Sequence, residues 1–170
     1  IKDKNFNLLC ANFLKIPLKD NSIDFIISCH ALEPNLGSEE KILKELYRVS
    51  SKYIILQEPQ DCFGDEQSKR MKELKYIDNL ISICKKLNYE VILDEKNECF
   101  FNKLNKSKFI VIKKDKSVTP NNVKYVSYTK KDLIFHLNNY YDIDNNQIYP
   151  IINNIPVFTT SILCNNFLNF

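Results

Sequence analysis

Two glycines among 170 residues, Gly37 and Gly64, leave this chain almost without the residue that lets a backbone fold closely around a phosphate. Neither lies in a strand-to-helix loop of the phosphate-cradling type. Other absences narrow the field. No apolar run approaches membrane-spanning length, which argues against a membrane partner, and nothing at the start has the form of a signal peptide. The six cysteines (10, 29, 62, 84, 99 and 164) are scattered and none forms a CxxC pair, so a reduced, cytoplasmic protein without a structural metal is expected. Several of them sit in apolar segments, where Cys behaves as a small hydrophobe. The formal net charge is only +3 and evenly spread, which argues against nucleic acid as a partner, although it leaves RNA contact open. Nothing in the pattern decides the oligomeric state.

The richest stretch is Asn7 to Pro34, NLLCANFLKIPLKDNSIDFIISCHALEP. It reads as two buried strands, Leu8–Cys10 and Ile23–Ile27, joined by a connector in which Pro17 breaks the chain and Lys19-Asp20-Asn21-Ser22 supplies turn chemistry. In open α/β sheets ligands bind beyond the carboxyl ends of strands, where Asn12 and His30 fall in this reading. The chain begins at Ile1 and leads almost directly into a strand, and we expect it to be the later part of a longer protein.

Downstream, Ser38 is placed as a helix N-cap with Glu39 and Glu40 against the helix dipole. Ile42, Leu43, Leu46 and Val49 recur at helical spacing. Tyr53 to Leu56 is a continuous apolar run of the kind that forms a strand covered on both faces, and it ends at Gln57-Glu58-Pro59. A short helix is expected around Gln67 to Leu74, and a stronger one over Ile77, Leu80, Ile81, Cys84 and Leu87 with Asn88 as its cap. Tyr89 to Leu93 and Phe109 to Ile112 complete a doubly wound, mostly parallel α/β sheet with an antiparallel C-terminal edge pair. Residues 1–116 form this domain, and 117–170 a small β-rich appendage. Within the appendage we expect a strand at Val123–Tyr128, a short helix at Lys131–Leu137 carrying a structural His136, and two strands around an Asn153-Asn154 turn.

The connector Ile16-Pro17-Leu18-Lys19-Asp20-Asn21-Ser22-Ile23-Asp24 resembles the "LPF-x-D-x-S-F-D" connector of class I S-adenosylmethionine-dependent methyltransferases of the small-molecule branch. Ile26 to Glu33 is similar to the family's fourth strand and its "H-x-L-E" turn. Leu43 to Val49 is similar to its "L-x-E-x-x-R-V" helix, and Tyr53 to Pro59 to its fifth strand. The likeness runs over about residues 7 to 114 and implies a Rossmann-like sheet, S-adenosylmethionine as cofactor, and methyl transfer to a small metabolite or glycan-type acceptor. It implies that Asn12 reads the adenine amino group, where the family usually has Asp, since an amide oxygen still accepts that bond. Phe13 would stack on adenine or offer its N–H, and Ser28, Cys29 and His30 would line the sulfonium side. The family's glycine-rich loop and the acidic residue of its second strand have no counterpart here.

Methyl transfer is mainly a matter of alignment, and a general base helps when the acceptor is a hydroxyl or amine. His30 suits that role, or else it caps the strand end and shapes the loop. Glu58 orients an acceptor or acts as a base, or else is a solvated loop carboxylate before Pro59, and Glu33 serves to fix the turn with Pro34. Tyr149-Pro150-Ile151 through Ile155-Pro156-Val157 resembles the "Y-P-I-x-x-G-I-P" tail of small zinc-ribbon-like methyltransferase activators, with Asn154 where Gly is usual and no paired cysteines ahead of it. A metal-free packing module is the expectation there. The other reading of the whole is a non-catalytic α/β module that serves as a docking protein. A third, a different doubly wound enzyme such as a nucleotide-sugar dehydrogenase, would need a different upstream fingerprint.

Overall fold

The β-branched and aromatic side chains of Ile23, Phe25, Ile26 and Ile27 suit a pleated surface, and Ile23–Cys29 forms strand β1. The computed structural model describes residues 7–97, 105–114, 125–159 and 161–163. After β1 come helix α1 (Glu39–Val49), strand β2 (Ser50–Pro59), helices α2 (Asp65–Glu73) and α3 (Leu80–Lys86), and strands β3 (Glu90–Lys96) and β4 (Ser107–Lys113). These make a mixed four-stranded sheet in the order β1-β2-β4-β3. By contacts the chain divides into two compact units, Asp20–Asn121 and Ile1–Lys19 with Asn122–Phe170.

In the α/β unit, α1 carries the chain back so that β2 runs parallel to β1. β3 leads to β4 with no helix assigned between them, and β4 lies antiparallel to both β2 and β3. The expected antiparallel pairing of the last two strands is present, with β3 outermost and β4 inside the sheet. The expectation of a mostly parallel sheet is corrected, because β1–β2 is the one parallel pair among the described strands. Inserting β4 between β2 and β3 makes both of its ladders antiparallel.

The core lies on one face. Ile42, Leu43, Leu46 and Val49 of α1 are buried, as are Ile54 and Leu56 of β2 and Ile110 and Ile112 of β4. Each such side chain contributes roughly 1.5–3 kcal/mol of burial free energy. Cys84 of α3 is buried with them, and burial pushes its thiol up to about 11. Cys10, Cys29 and Cys62 are exposed instead, and Cys99 and Cys164 lie outside the described residues. Helices α1 and α3 contact each other. On the opposite face Phe25 and Ile27 stay 54% and 73% exposed, so β1 is an edge strand among the described strands, with one open face, and not the buried strand its composition predicts. Tyr53 and Ile55 of β2, paired with Phe25 and Ile27, are half-buried for the same reason.

The helix expected around Gln67 is present as α2. The one at Ile77–Leu87 is shorter, since Asn79 takes a left-handed conformation and α3 starts at Leu80. Ser38 occupies the N-cap position of α1 without a side-chain capping bond. The "E-x-x-R" pair explains itself structurally. Glu45 holds Arg48 by two bonds of 2.8 Å, which leaves the guanidinium free to grip Asp20 at 2.6 Å, while Arg48 O accepts the Asn21 N–H at 2.8 Å. The turn before β1 is thereby tied to the end of α1.

The second unit is an antiparallel sheet of β5 (Ile134–His136), β6 (Asn139–Asp142), β7 (Gln147–Ile152), β8 (Ile155–Pro156) and β9 (Ile162–Leu163), in the order β5-β6-β7-β8 with β9 also on β7. Asn153-Asn154 forms the expected two-residue turn, both with positive φ (51° and 64°). The helix expected at Lys131–Leu137 is not formed: Ile134–His136 is a strand paired with Asn139–Tyr141 through a Leu137-Asn138 turn. Seven residues nucleate a helix poorly, and here Phe135 packs on the Tyr140 ring at 5.3 Å. His136 is accordingly exposed on a strand. Of Val123–Tyr128, residues 123 and 124 lie outside the described residues, and Tyr125 and Val126 form isolated bridges. Tyr149 and Phe158 are buried against each other, and the rings of Tyr125 and Tyr140 pack on Phe158.

Leu8–Cys10 does not join the four-stranded sheet. Cys10 donates to Pro156 O at 2.9 Å and accepts from Phe158 N–H at 2.8 Å, a parallel bridge to Val157 within the second unit. Among the described residues, positions of positive φ go mostly to asparagine (Asn21, Asn79, Asn88, Asn138, Asn146, Asn153, Asn154), which takes the place of the scarce glycine. No helix among the described residues is long and apolar enough to cross a membrane.

Candidate functional site

β1 and β2 run parallel, so their carboxyl ends lie side by side, with Cys29 in register with Gln57. Beyond β1 the chain makes a tight loop, and His30 takes a left-handed conformation (φ 51°) while its N–H donates to Gln57 O at 2.9 Å. A non-glycine residue in that region costs about 1 kcal/mol and persists where neighbours enforce it.

Glu58 is the chief enforcer. It is fully buried, accepts the Ser28 hydroxyl at 2.6 Å, and receives the backbone N–H groups of Ala31 and Leu32 at 3.3 Å each. Burial raises its pKa above the ordinary carboxylate value, opposed by these hydrogen bonds and by the charge of His30. The reading of Glu58 as a solvated loop carboxylate is therefore corrected. Its oxygens are occupied in fastening the end of β2 to the loop after β1.

The six residues singled out from the sequence are distributed as follows. Ser28 is buried and spends its hydroxyl on Glu58, whereas Cys29 is exposed, because successive strand residues point to opposite faces. His30 follows, half-buried, with its ring bonded through Nδ1 to Glu33 Oε1. Asn12 and Phe13 belong to the other unit. There Asn12 O accepts the Lys15 N–H at 2.9 Å, and Asn12 Oδ1 accepts the Leu14 N–H at 2.8 Å. The Phe13 ring is exposed at the head of that turn.

Two residues enter the site that sequence reasoning missed. Asn105 Nδ2 donates to Glu33 Oε1 at 2.9 Å and lies 3.2 Å from His30 Nδ1. Tyr76 stands against Glu33, and burial, then that carboxylate's charge, raises its phenol's pKa. Asn105 sits in a Lys- and Asn-rich stretch, so nothing in its neighbours marks it out. Gln67 fixes the adjoining peptide by accepting Lys106 N–H at 3.0 Å and donating to Lys106 O at 2.6 Å. Beside the loop, a cleft of about 190 Å³ is lined by Leu36, Met71, Lys72, Tyr76, Asp78 and others.

Residues 1–53 match a family model described as a methyltransferase domain. The match takes in the connector, β1, the His30 loop and α1. Among solved structures, a SAM-dependent methyltransferase from Methanosarcina mazei is similar at 17% identity with a TM-score of 0.49, covering 62% of this chain and 65% of that one. The chain thus spans less than two thirds of that protein's length. No curated protein matches.

Proposed function

We propose that this protein is an S-adenosylmethionine-dependent methyltransferase acting on a small-metabolite or glycan-type acceptor. One observation carries the reading: the stretch that matches the methyltransferase domain contains the loop that Glu58 pins at the joined carboxyl ends of β1 and β2, with His30 held at its head. The chemistry of the loop fits a cationic cofactor. From Ser22 to Ser38 there is no Lys or Arg, while Glu33 and the neighbouring Glu58 supply carboxylates.

The cofactor supplies an electrophilic methyl group on a positively charged sulfur. In its own unit, Asn12 would accept the adenine amino group through its amide oxygen and Phe13 would cover the ring. Cys29 and His30 would line the sulfonium side. Ser28 would act from behind, through Glu58, by keeping the loop in place. His30 would accept the proton of an acceptor hydroxyl or amine. The cleft beside Tyr76, apolar at Leu36 and Met71 and charged at Lys72 and Asp78, suits a small polar acceptor.

Isothermal titration of the full-length protein with S-adenosylmethionine tests the reading. Saturable binding is expected, and no heat from a protein shown to be folded would retire it. Asn12→Ala should weaken binding by about 1 kcal/mol, roughly fivefold, the worth of an ordinary hydrogen bond. The second reading, a non-catalytic docking module, has the open apolar face of Phe25 and Ile27 in its favour, and it predicts no cofactor binding.

A further inference from the structure

We propose that Glu33 and Asn105 are positioning residues that fix the proton of His30 on Nδ1 and present Nε2, unprotonated, as the proton acceptor. The identity of the proton removed rests on the methyl-transfer reading; the tautomer does not.

Two groups converge on the Nδ1 side of the imidazole. Glu33 Oε1 is hydrogen-bonded to His30 Nδ1, and Asn105 Nδ2 donates to that same oxygen at 2.9 Å while lying 3.2 Å from Nδ1. An ionised carboxylate only accepts and an amide NH₂ only donates. With the proton on Nδ1, Glu33 Oε1 accepts from both neighbours, and the contact left with donor against donor is the longest of the three, Asn105 Nδ2 at 3.2 Å from Nδ1. With the proton on Nε2, the Nδ1 lone pair would face the carboxylate oxygen. Rotating the Asn105 amide offers no escape, since it would set Oδ1 against Glu33. As it stands, Oδ1 is buried without a partner, so the amide's orientation serves the Glu33 bond.

The partners are themselves held. Glu33 O accepts the Ile77 N–H at 2.8 Å, Leu32 beside it is buried, and the loop N–H groups end on Glu58. Gln67 clamps the peptide next to Asn105. Among the described residues, the charged and titratable groups around the ring include Glu33 and Glu58, with Tyr76 against Glu33 and Arg70 against Tyr76 at 5.7 Å. When an acceptor O–H or N–H passes its proton to Nε2, the ring holds two protons and a positive charge opposite the Glu33 carboxylate. Release of the Nε2 proton to water restores the starting state. Orienting a histidine through its second nitrogen is a general way of choosing which nitrogen reacts.

Nitrogen-15 NMR of the imidazoles tests this directly, at a pH where the ring carries one proton. The chain has only two histidines, and His136→Gln assigns them. Wild-type His30 should show protonated Nδ1 and bare Nε2. Glu33→Ala should shift it toward the Nε2–H form, while Glu33→Gln, whose amide oxygen still accepts, should keep most of the Nδ1–H form. Asn105→Ala should mix the two. A wild-type ring found mainly as Nε2–H overturns the proposal. So does an unchanged tautomer in folded Glu33→Ala, with folding checked by the amide spectrum. If Glu33→Ala does not fold, the wild-type and Glu33→Gln spectra still decide. No methyl donor enters the measurement, so failure to bind S-adenosylmethionine strikes the functional reading alone. Where turnover is measured, Glu33→Ala should lower kcat on the order of 100-fold and leave the KM for the methyl donor unchanged.

Discussion

The Ser28 hydroxyl donates to Glu58 Oε1 at 2.6 Å across the β1–β2 pair, and the same carboxylate receives the N–H groups of Ala31 and Leu32. One buried side chain thus joins the ends of two strands to the loop that carries His30. Glu58→Ala would strand three donors, two of them buried, and we expect it to destabilise the protein by about 3 kcal/mol, since each unsatisfied buried group costs roughly 1–3 kcal/mol and part is recovered by water. Ser28→Ala should cost about 1 kcal/mol. The two should be non-additive in a double-mutant cycle read by urea denaturation; strict additivity would show that the bond contributes nothing.

Glu58 also gives the fold a pH signature. Its folded pKa is raised above the reference value of 4.5, first by burial. A group with a raised folded pKa stabilises fully below its unfolded pKa, and that contribution is lost as pH rises through the folded pKa. The stability of wild type relative to Glu58→Gln should therefore be greatest near pH 4 and decline toward pH 7. A flat difference across that window would contradict the burial effect.

Glu40 carries the opposite sign. Lys44 and Lys86 hold its carboxyl down to about 2, linking α1 to α3. Whatever it adds to stability is present above 4.5 and lost as pH falls through 2. Carbon-detected NMR titration should find this low value, and Lys86→Ala should move it back toward 4.5. Added salt should do the same, because the pair is exposed.

Arg48→Ala removes the bidentate bonds to Glu45 and the bond to Asp20 together. A charge-assisted hydrogen bond is worth about 1.5–3 kcal/mol when sheltered and less when exposed, and Asp20 is mostly exposed. A loss of about 2 kcal/mol is expected by chemical denaturation. Arg48→Lys should recover little, as a single ammonium cannot span both carboxylates.

At the Asn153-Asn154 turn, Asn154 holds φ 64°. Asn154→Gly should be neutral or stabilising by a few tenths of a kcal/mol, and Asn154→Ala should cost about 1 kcal/mol. Thermal melts of the two variants should separate in that order.

The sequence by itself determined the features that depend on near neighbours. The Ile and Phe run made β1, the helical spacing of Ile42, Leu46 and Val49 made the buried stripe of α1, and asparagines made the tight turns that glycine usually makes. His30 was legible because it follows an apolar run that has to be a strand. Only the tertiary structure decided the rest. Leu8–Cys10 has strand composition, yet its partner is Val157, far along the chain. Lys131–Leu137 has helical spacing, yet a hairpin with Asn139–Tyr141 claims its hydrogen bonds. Glu58 reads as a surface carboxylate until Ser28 and the loop close over it, and Asn105 meets Glu33 and His30 from 72 and 75 residues away. Period and propensity are written in consecutive residues, but burial and the choice of hydrogen-bond partner are set by which distant segments the sheet brings together.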